Sequence, residues 1–324
     1  MDNVELLNAI RAEASQEYQD RIPEATRTNL QVVGKVITEY APTLNEFTNA
    51  LVSKIAIQLF ANKMAKNRLA KFKKGTLENA SDIEEIFVAM ATGIAYDKDG
   101  SDVLARKKPD VKSLYYKENY QQTYEVSVSD VQVKQAFTTS QGITNLTNHI
   151  INSMYSGANH DEYLSMKNLF NLYDENFKKV TVSNVTDEAT GKEFVKAVKK
   201  ACTNLTFMSS EYNAEGVKTY TEESDQVLLV HKDVMAEVDV EVLAKAFNMG
   251  KTQFEAQVIV VDDFGGMQNT LALLVDKEWF MIYDTLRTVE SIRNPKGLFT
   301  NYFLHVWQLQ AVSKFRNAIA FKTE

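Results

Sequence analysis

Two adjacent carboxylates, Asp262 and Asp263, stand at the end of the apolar run from Ala256 and just before Phe264-Gly265-Gly266. Paired acids at a strand end are the right ligand type for a hard divalent cation, and hence for metal-assisted hydrolysis. The same residues also describe a tight turn. Gly265 and Gly266 permit positive φ, and Asp favours turns by hydrogen-bonding nearby backbone. The turn is the preferred reading. Asp263-Phe264-Gly265 spells a kinase triplet, but no glycine-rich phosphate loop or catalytic-loop motif accompanies it, so the match is accidental.

The four histidines are His149, His160, His231 and His305. His149 and His160 lie eleven residues apart, about three helical turns, which is too far to share one metal unless the helix breaks at Gly157. His160-Asp161-Glu162 supplies donors, but successive helical residues point in different directions, and the ligand set is incomplete. His305, beside Trp307, is expected as a packed core or interface residue. Cys202 sits among apolar helical positions with Lys199 and Lys200 close by. Those cations could lower its pKa, but a small buried side chain is the commoner case. No Gly-x-Ser-x-Gly elbow, phosphate-binding loop or Cys-x-x-Cys pair occurs. We therefore expect no catalytic residue, no cofactor and no metal. A metal-dependent hydrolase using Asp262, Asp263 and a distant histidine stands as the remote alternative.

The 324 residues suffice for two domains, and fractions of 44% hydrophobic and 24% charged are ordinary for a globular chain. The net charge of -7 excludes a histone-like protein wrapped in nucleic acid over its whole surface. With one cysteine no intrachain disulfide can form, and a reducing compartment fits best. The amino terminus lacks a basic segment followed by an apolar core, and no run approaches the roughly 20 apolar residues that span a bilayer. The expectation is a soluble protein made in the cytoplasm. Only 12 Gly and 4 Pro occur, which argues against a low-complexity chain or a long flexible linker.

Residues 1–43 read as short amphipathic helices, with Leu6, Leu7 and Ile10 at helical spacing and Pro23 and Pro42 as punctuation. The stretch Glu13 to Asp20 is too polar to pack strongly. An arm seeking a partner on another chain and an ordinary frayed terminus are both compatible with it. From Leu44 a helix is expected through Phe47, Leu51, Ile55 and Leu59. It gives way to Lys63–Lys74, where six of twelve residues are basic. Such a run can meet DNA or an acidic neighbour, but a solvated helix end is preferred. Between Phe72 and Val128 lies a segment hard to fold into a compact core. Turn signals at Lys74-Gly75 and Asp97–Gly100 and the charged Arg106-Lys-Lys-Pro109 separate strand-like pieces at Glu85–Ala89 and Tyr120–Val128. A loop of that length usually has a job.

Residues 143–173 give the strongest helix, with Ile143, Leu146, Ile150, Met154, Met166, Leu169, Phe170 and Tyr173 on one face. Straight, it would reach about 45 Å, and Gly157 is a place where it could bend. Val180, Val182 and Val185 suggest a strand. Phe194, Val198, Ala201 and Leu205 define a helix from near Thr190. Gln226–His231 and Ala256–Asp262 read as buried strands. Between them Asp239 caps a helix carrying Leu243, Ala246 and Phe247 that Gly250 ends. Aromatic residues from Trp279 to Phe321 crowd the last segment, read as a dense sheet core with Trp307 buried in it. Helices and strands mix without regular alternation, so the class is α+β.

Four blocks carry a resemblance: Leu271 to Asp284, Arg293-Asn-Pro-Lys-Gly297, Tyr302 to Leu309 and Phe315 to Phe321. Asp225 to Phe247 adds to them, as do Leu69 to Leu77 and Tyr120 to Val128. In this order they resemble the major capsid proteins of small tailed bacteriophages, podophages of Gram-positive bacteria, with the Hong Kong 97-like shell fold. The resemblance implies an N-terminal arm (1–43), a peripheral-domain helix (44–71) and an extended two-stranded loop (72–128). It further implies a peripheral domain with a long spine helix (129–182), an axial domain (183–275) and a peripheral-domain sheet (276–324). It implies a structural protein that self-assembles into pentamers and hexamers of an icosahedral head around double-stranded DNA, touched non-specifically. A scaffolding protein and a portal would be further partners, no membrane would be involved, and the destination would be the virion. An encapsulin-type nanocompartment shell is the alternative within the same fold. The candidates for contact between subunits are Phe72, Lys73, Lys74, Arg106, Lys107, Lys108, Tyr120 and Tyr124.

Overall fold

The computed structural model describes residues 3–40, 42–44, 46–47, 50, 66–77, 82–96, 98, 106–137, 142–173, 175–238 and 257–324. Most of the helix expected after Leu44, the helix expected after Asp239, and the turn Asp97–Gly100 save for Lys98 lie outside the described residues. The chain divides into two compact units. The first comprises Met1–Asn67, Tyr120–Glu162 and Leu286–Trp307, and the second Arg68–Asn119, Tyr163–Thr285 and Gln308–Glu324.

In the first unit, helices α1 (Asn3–Glu13), α2 (Gln16–Arg21) and α3 (Leu30–Glu39) pack into a shared apolar core. Leu6, Leu7, Ile10, Tyr18, Ile22, Val33 and Ile37 are all buried there. This corrects the expectation of an exposed or frayed amino-terminal segment. The polar stretch 13–20 packs because its polar groups have partners. The Ser15 side chain accepts from Tyr18 N and caps α2, while Glu46 accepts from Ser15 N and Oγ at 2.5 and 2.9 Å. Arg11 donates to the carbonyls of Ile22 and Gln19 at 2.7 and 2.8 Å, closing the α1–α2 corner. Strand β4 (Tyr120–Ser129) runs into helix α4 (Asp130–Ala136) through a capping box in which Ser129 and Gln132 each bond the other's backbone. Gly34 lets α3 approach the end of α4: a Cβ there would lie 2.4 Å from the Phe137 ring.

The long helix α5 (Gly142–Asn168) has 27 residues, about 40 Å, and continues as a 3-10 turn over Leu169–Leu172. Gly157 does not interrupt it. The side chain of Tyr124 lies beside that glycine at ordinary contact distance. Near the end of its part in this unit, α5 buries Glu162, which accepts from Arg287 at 2.8 Å.

The second unit is built on a five-stranded mixed sheet in the order β5-β11-β8-β6-β7, with β5 Lys178–Thr181, β6 Gln226–His231, β7 Val258–Val261, β8 Thr270–Asp276 and β11 Ala318–Lys322. Helices α6 (Glu188–Leu205) and α7 (Lys232–Glu237) accompany it. Both faces of the sheet are covered, which is why β6 and β8 are apolar without alternation. Val227, Leu229, Leu273, Val275, Ala318 and Ala320 face one cluster with Trp279, Phe280 and Phe170. Leu228, Val230, Ala272, Leu274, Ile319 and Phe321 face another with Phe194, Val198 and Leu205 of α6. Asp187 caps α6 by accepting from Thr190 N at 2.8 Å. Cys202 is buried on that helix, and desolvation pushes its thiol up to about 12, so it is an inert core side chain.

Strands β9 (Phe280–Asn294) and β10 (Phe299–Val312) run through both units. Trp307 lies on β10 and is 37% exposed, which corrects its expected burial. The buried tryptophan is Trp279, at the turn before β9, packed edge-on to Phe280 with ring centroids 4.7 Å apart.

Asp262 and Asp263 form the turn expected after β7. Gly265 has φ +58°, and its N–H donates to Asp263 Oδ1 at 2.7 Å. Both carboxylates also hold the buried Lys167 ammonium at 2.9 and 2.5 Å, and Tyr163 donates to Asp262. The pair thus ties the turn to the end of α5. Among the described residues no group of three or more His, Cys, Asp and Glu is placed to hold a metal ion.

Trp279→Ala is expected to destabilise the fold by about 3–5 kcal/mol through the cavity it leaves. Trp307→Ala should cost only about 1 kcal/mol. Urea unfolding midpoints decide this, and equal shifts would show that the two rings are equally embedded. A second expectation concerns acid. Burial would raise the Asp262 pKa, but the hydrogen bonds from Tyr163 and Lys167 outweigh it and bring it down to about 2. Its contribution is therefore complete above about pH 4 and lost as pH falls through about 2. Half-exposure of the carboxylate keeps that contribution modest. Asp262→Asn should flatten the fall in stability between pH 4 and pH 2, and an unchanged slope would remove Asp262 from the acid response.

Candidate assembly surface

Strands β2 (Asp82–Val88) and β3 (Val111–Lys117) form a two-stranded antiparallel hairpin, in register from Asp82↔Lys117 to Val88↔Val111. An isolated hairpin is marginal in water, so what covers each face matters. On one face Ile83, Glu85, Phe87, Leu114 and Tyr116 are half-buried; on the other Glu84, Ile86, Val88, Val111 and Tyr115 are exposed. Beyond the ladder Met90, Ile94 and Tyr96 are exposed as well, Tyr96 by 87%. The exposed apolar side chains continue along the hairpin and onto the chain leaving it. That concentration is unlike scattered surface leucines and valines, which need no explanation.

The hairpin is shorter than the segment 72–128. Phe72 is buried and packs on Phe280 at 4.4 Å. Strand β1 (Lys73–Thr76) pairs in parallel with β9, Lys73 opposite Ile282 and Thr76 opposite Asp284. Strand β4 pairs with β10. Both flanks are therefore strands of the β1-β9-β10-β4 sheet, and the two-stranded element between them is β2 with β3.

The eight expected contact residues separate accordingly. Phe72 is a core residue of its own chain, because its ring completes the cluster around Phe280. Lys73 reaches Asp284 at 2.9 Å and Lys74 reaches Glu278 at 2.7 Å. The hydrogen bond from Lys74 holds the Glu278 carboxyl below its ordinary range despite the opposing effect of burial. These lysines pin β1 to the start of β9 and its preceding turn. Tyr120 is buried and shares a 2.9 Å hydrogen bond with the half-buried Tyr124. Arg106, Lys107 and Lys108 are exposed on the strand side leading into β3. Of the eight, only this basic trio is exposed.

The residues that sequence reasoning missed are Ile86, Val88, Met90, Ile94, Tyr96, Val111 and Tyr115. Their signal was present but ambiguous. In Ile83-Glu-Glu-Ile-Phe-Val-Ala the apolar residues occupy both phases of a two-residue period, so alternation cannot name the open face. Only the tertiary position of Phe87 and Glu85 does so.

The sequence profile of the Phi29-like phage major capsid proteins matches residues 7–322. The chain is 37% identical to the major capsid protein of Bacillus phage B103 over 99% of its own length and 73% of that protein. It is 30% identical to the major capsid protein of Streptococcus phage Cp-1, over 98% of the chain and 93% of that protein. Among solved structures, the capsid of Staphylococcus phage Andhra superposes with a TM-score of 0.67 at 15% identity, covering 81% of this chain and 86% of the other. At that identity the likeness concerns the fold, which is the Hong Kong 97-like shell fold with α+β composition. The helices described include none long and apolar enough to cross a membrane. The chain belongs to the Phi29-like phage major capsid proteins, a structural and non-enzymatic family, and many copies of it build the head of a virion.

Proposed function

We propose that the exposed face of the β2–β3 hairpin is the surface by which one copy overlaps the next, and that the copies form pentamers and hexamers of an icosahedral head. The carrying observation is the exposure of Ile86, Val88, Val111 and Tyr115 on one side of a two-stranded ribbon, continued by Met90, Ile94 and Tyr96. Burying such side chains against a neighbour removes apolar area from water at roughly 25 cal/mol per Å². A weak contact suffices, because each subunit of a closed shell has several neighbours and the contacts reinforce one another. Repeated head-to-tail contacts of this kind close when the symmetry allows it.

The head encloses double-stranded DNA in this reading, touched non-specifically, with a scaffolding protein and a portal as further partners in building it. The net charge of -7 supports local rather than general contact with the nucleic acid. Arg106, Lys107 and Lys108 steer the hairpin toward acidic groups on the neighbouring copy.

Ile86→Glu combined with Val88→Glu should leave the thermal melt of the free subunit unchanged and abolish closed particles in negative-stain micrographs. Closed shells of normal size from this variant would take the hairpin out of the assembly mechanism. Reversing the charge at Arg106, Lys107 and Lys108 should slow assembly more at low salt than at high salt, since exposed charges are screened within about 10 Å at 0.1 M. A salt-independent effect, followed by light scattering, would assign the trio a different role.

A further inference from the structure

The half-buried face of the hairpin is held by a small, fully specified seat. Ser313, Phe315 and Glu215 provide it, and all belong to the same unit as the hairpin. Phe87 packs on the buried Phe315 with ring centroids 5.7 Å apart. Ser313 Oγ accepts from the N–H groups of both Phe315 and Arg316 at 3.2 Å. Its lone pairs are thereby used, so its proton is directed to Glu85 Oε1, 2.6 Å away. The other oxygen of Glu85 accepts from the Tyr116 hydroxyl at 3.0 Å. Burial and the Glu85 charge keep that hydroxyl protonated, far above its ordinary range. From β3, Lys112 donates to the Glu215 carbonyl at 2.9 Å, with the Glu215 carboxylate 3.6 Å away. Glu215 N in turn donates to Lys314 O at 3.2 Å, fastening the two halves of the seat together.

These contacts engage the ribbon at Glu85, Phe87, Lys112 and Tyr116, along much of its length and from both strands. Two strands held on one side by a ring pair and directed hydrogen bonds have a fixed direction. A ribbon joined only through its chain ends would swing. We propose that the 313–316 turn sets the angle at which the hairpin leaves the body, and that Glu85, Phe87 and Ser313 are positioning residues for assembly. The inference rests on the reading of the hairpin's open face as the contact between copies. It adds that the direction of the hairpin, and so the curvature of the shell, is encoded on the opposite face. A hairpin delivered at one angle places each neighbour at one angle, which is what a shell of uniform diameter requires.

The test uses the full chain with Glu85→Ala and Phe87→Ala, both on the hairpin side so that the buried turn keeps its own residues. In the free subunit, amide exchange over 83–88 and 111–117 should rise about tenfold or more, while exchange in β6, β8 and β11 stays at the parental rate. Assembled material should spread into particles of varied diameter, open sheets and tubes. Phe87→Met, which keeps an apolar contact to Phe315, should restore both slow exchange and uniform diameter. Unchanged hairpin exchange would overturn the proposal, as would uniform shells of parental diameter despite faster exchange. Ile86→Glu with Val88→Glu separates the two readings, because it should keep parental exchange in the free subunit and lose closure. If that variant closes normally, the open-face reading falls. If it fails to close while the Glu85 and Phe87 variants give uniform shells, only the seat falls.

Discussion

Everything in the second unit depends on a sheet with no wet face. Strand β8 is buried along its whole length, with Leu273 and Val275 on one side and Ala272 and Leu274 on the other. Its antiparallel neighbours β6 and β11 extend both layers, so that the sheet divides two apolar clusters rather than capping one. Removing a side chain from either side therefore leaves a cavity that nothing nearby fills, and such cavities carry the largest penalties in folded proteins. The turns that matter grow from this frame. Trp279 follows the end of β8, the Ser313 turn leads into β11, and the Asp262–Asp263 turn follows β7.

Much of this was legible in the residues. Gln226–His231 reads as a buried strand because both phases of its alternation are apolar, and the structure buries both faces. The helix beginning near Thr190 was visible in Phe194, Val198, Ala201 and Leu205, all of which now face the sheet. The long helix was visible too, although Gly157 looked like a break. Glycine costs a helix backbone entropy but does not by itself break it, and here Tyr124 packs beside it. Asp262 and Asp263 read correctly as a turn, but their partner Lys167 lies about a hundred residues away and no spacing rule could reach it.

The failures share one cause. Segment 13–20 looked too polar to pack, yet Tyr18 is buried because Arg11, Ser15 and Glu46 satisfy the surrounding backbone groups. Trp307 is expected to be buried in the carboxyl-terminal sheet core, whereas Trp279 is the fully buried tryptophan. Among the contact candidates, Phe72 and Tyr120 lie on the two flanks of the extended segment, and both are buried within their own chain. A sequence states which residues are apolar, but facing is decided by partners distant in the chain. The hairpin is the sharpest instance, since its apolar residues occupy both faces and only contacts from Ser313, Phe315 and Glu215, distant in the chain, distinguish them.

The buried thiol of Cys202 has a practical side. It is the one sulfhydryl in the chain, it sits within the α6 layer, and its thiolate is suppressed at neutral pH. Maleimides and iodoacetamides react with thiolates that solvent can reach, so the folded subunit is silent toward them. A cysteine introduced at an exposed position such as Lys196 would then be the sole point of attachment. Fluorophores, spin labels or displayed peptides could be placed at one address per subunit without first deleting the native residue.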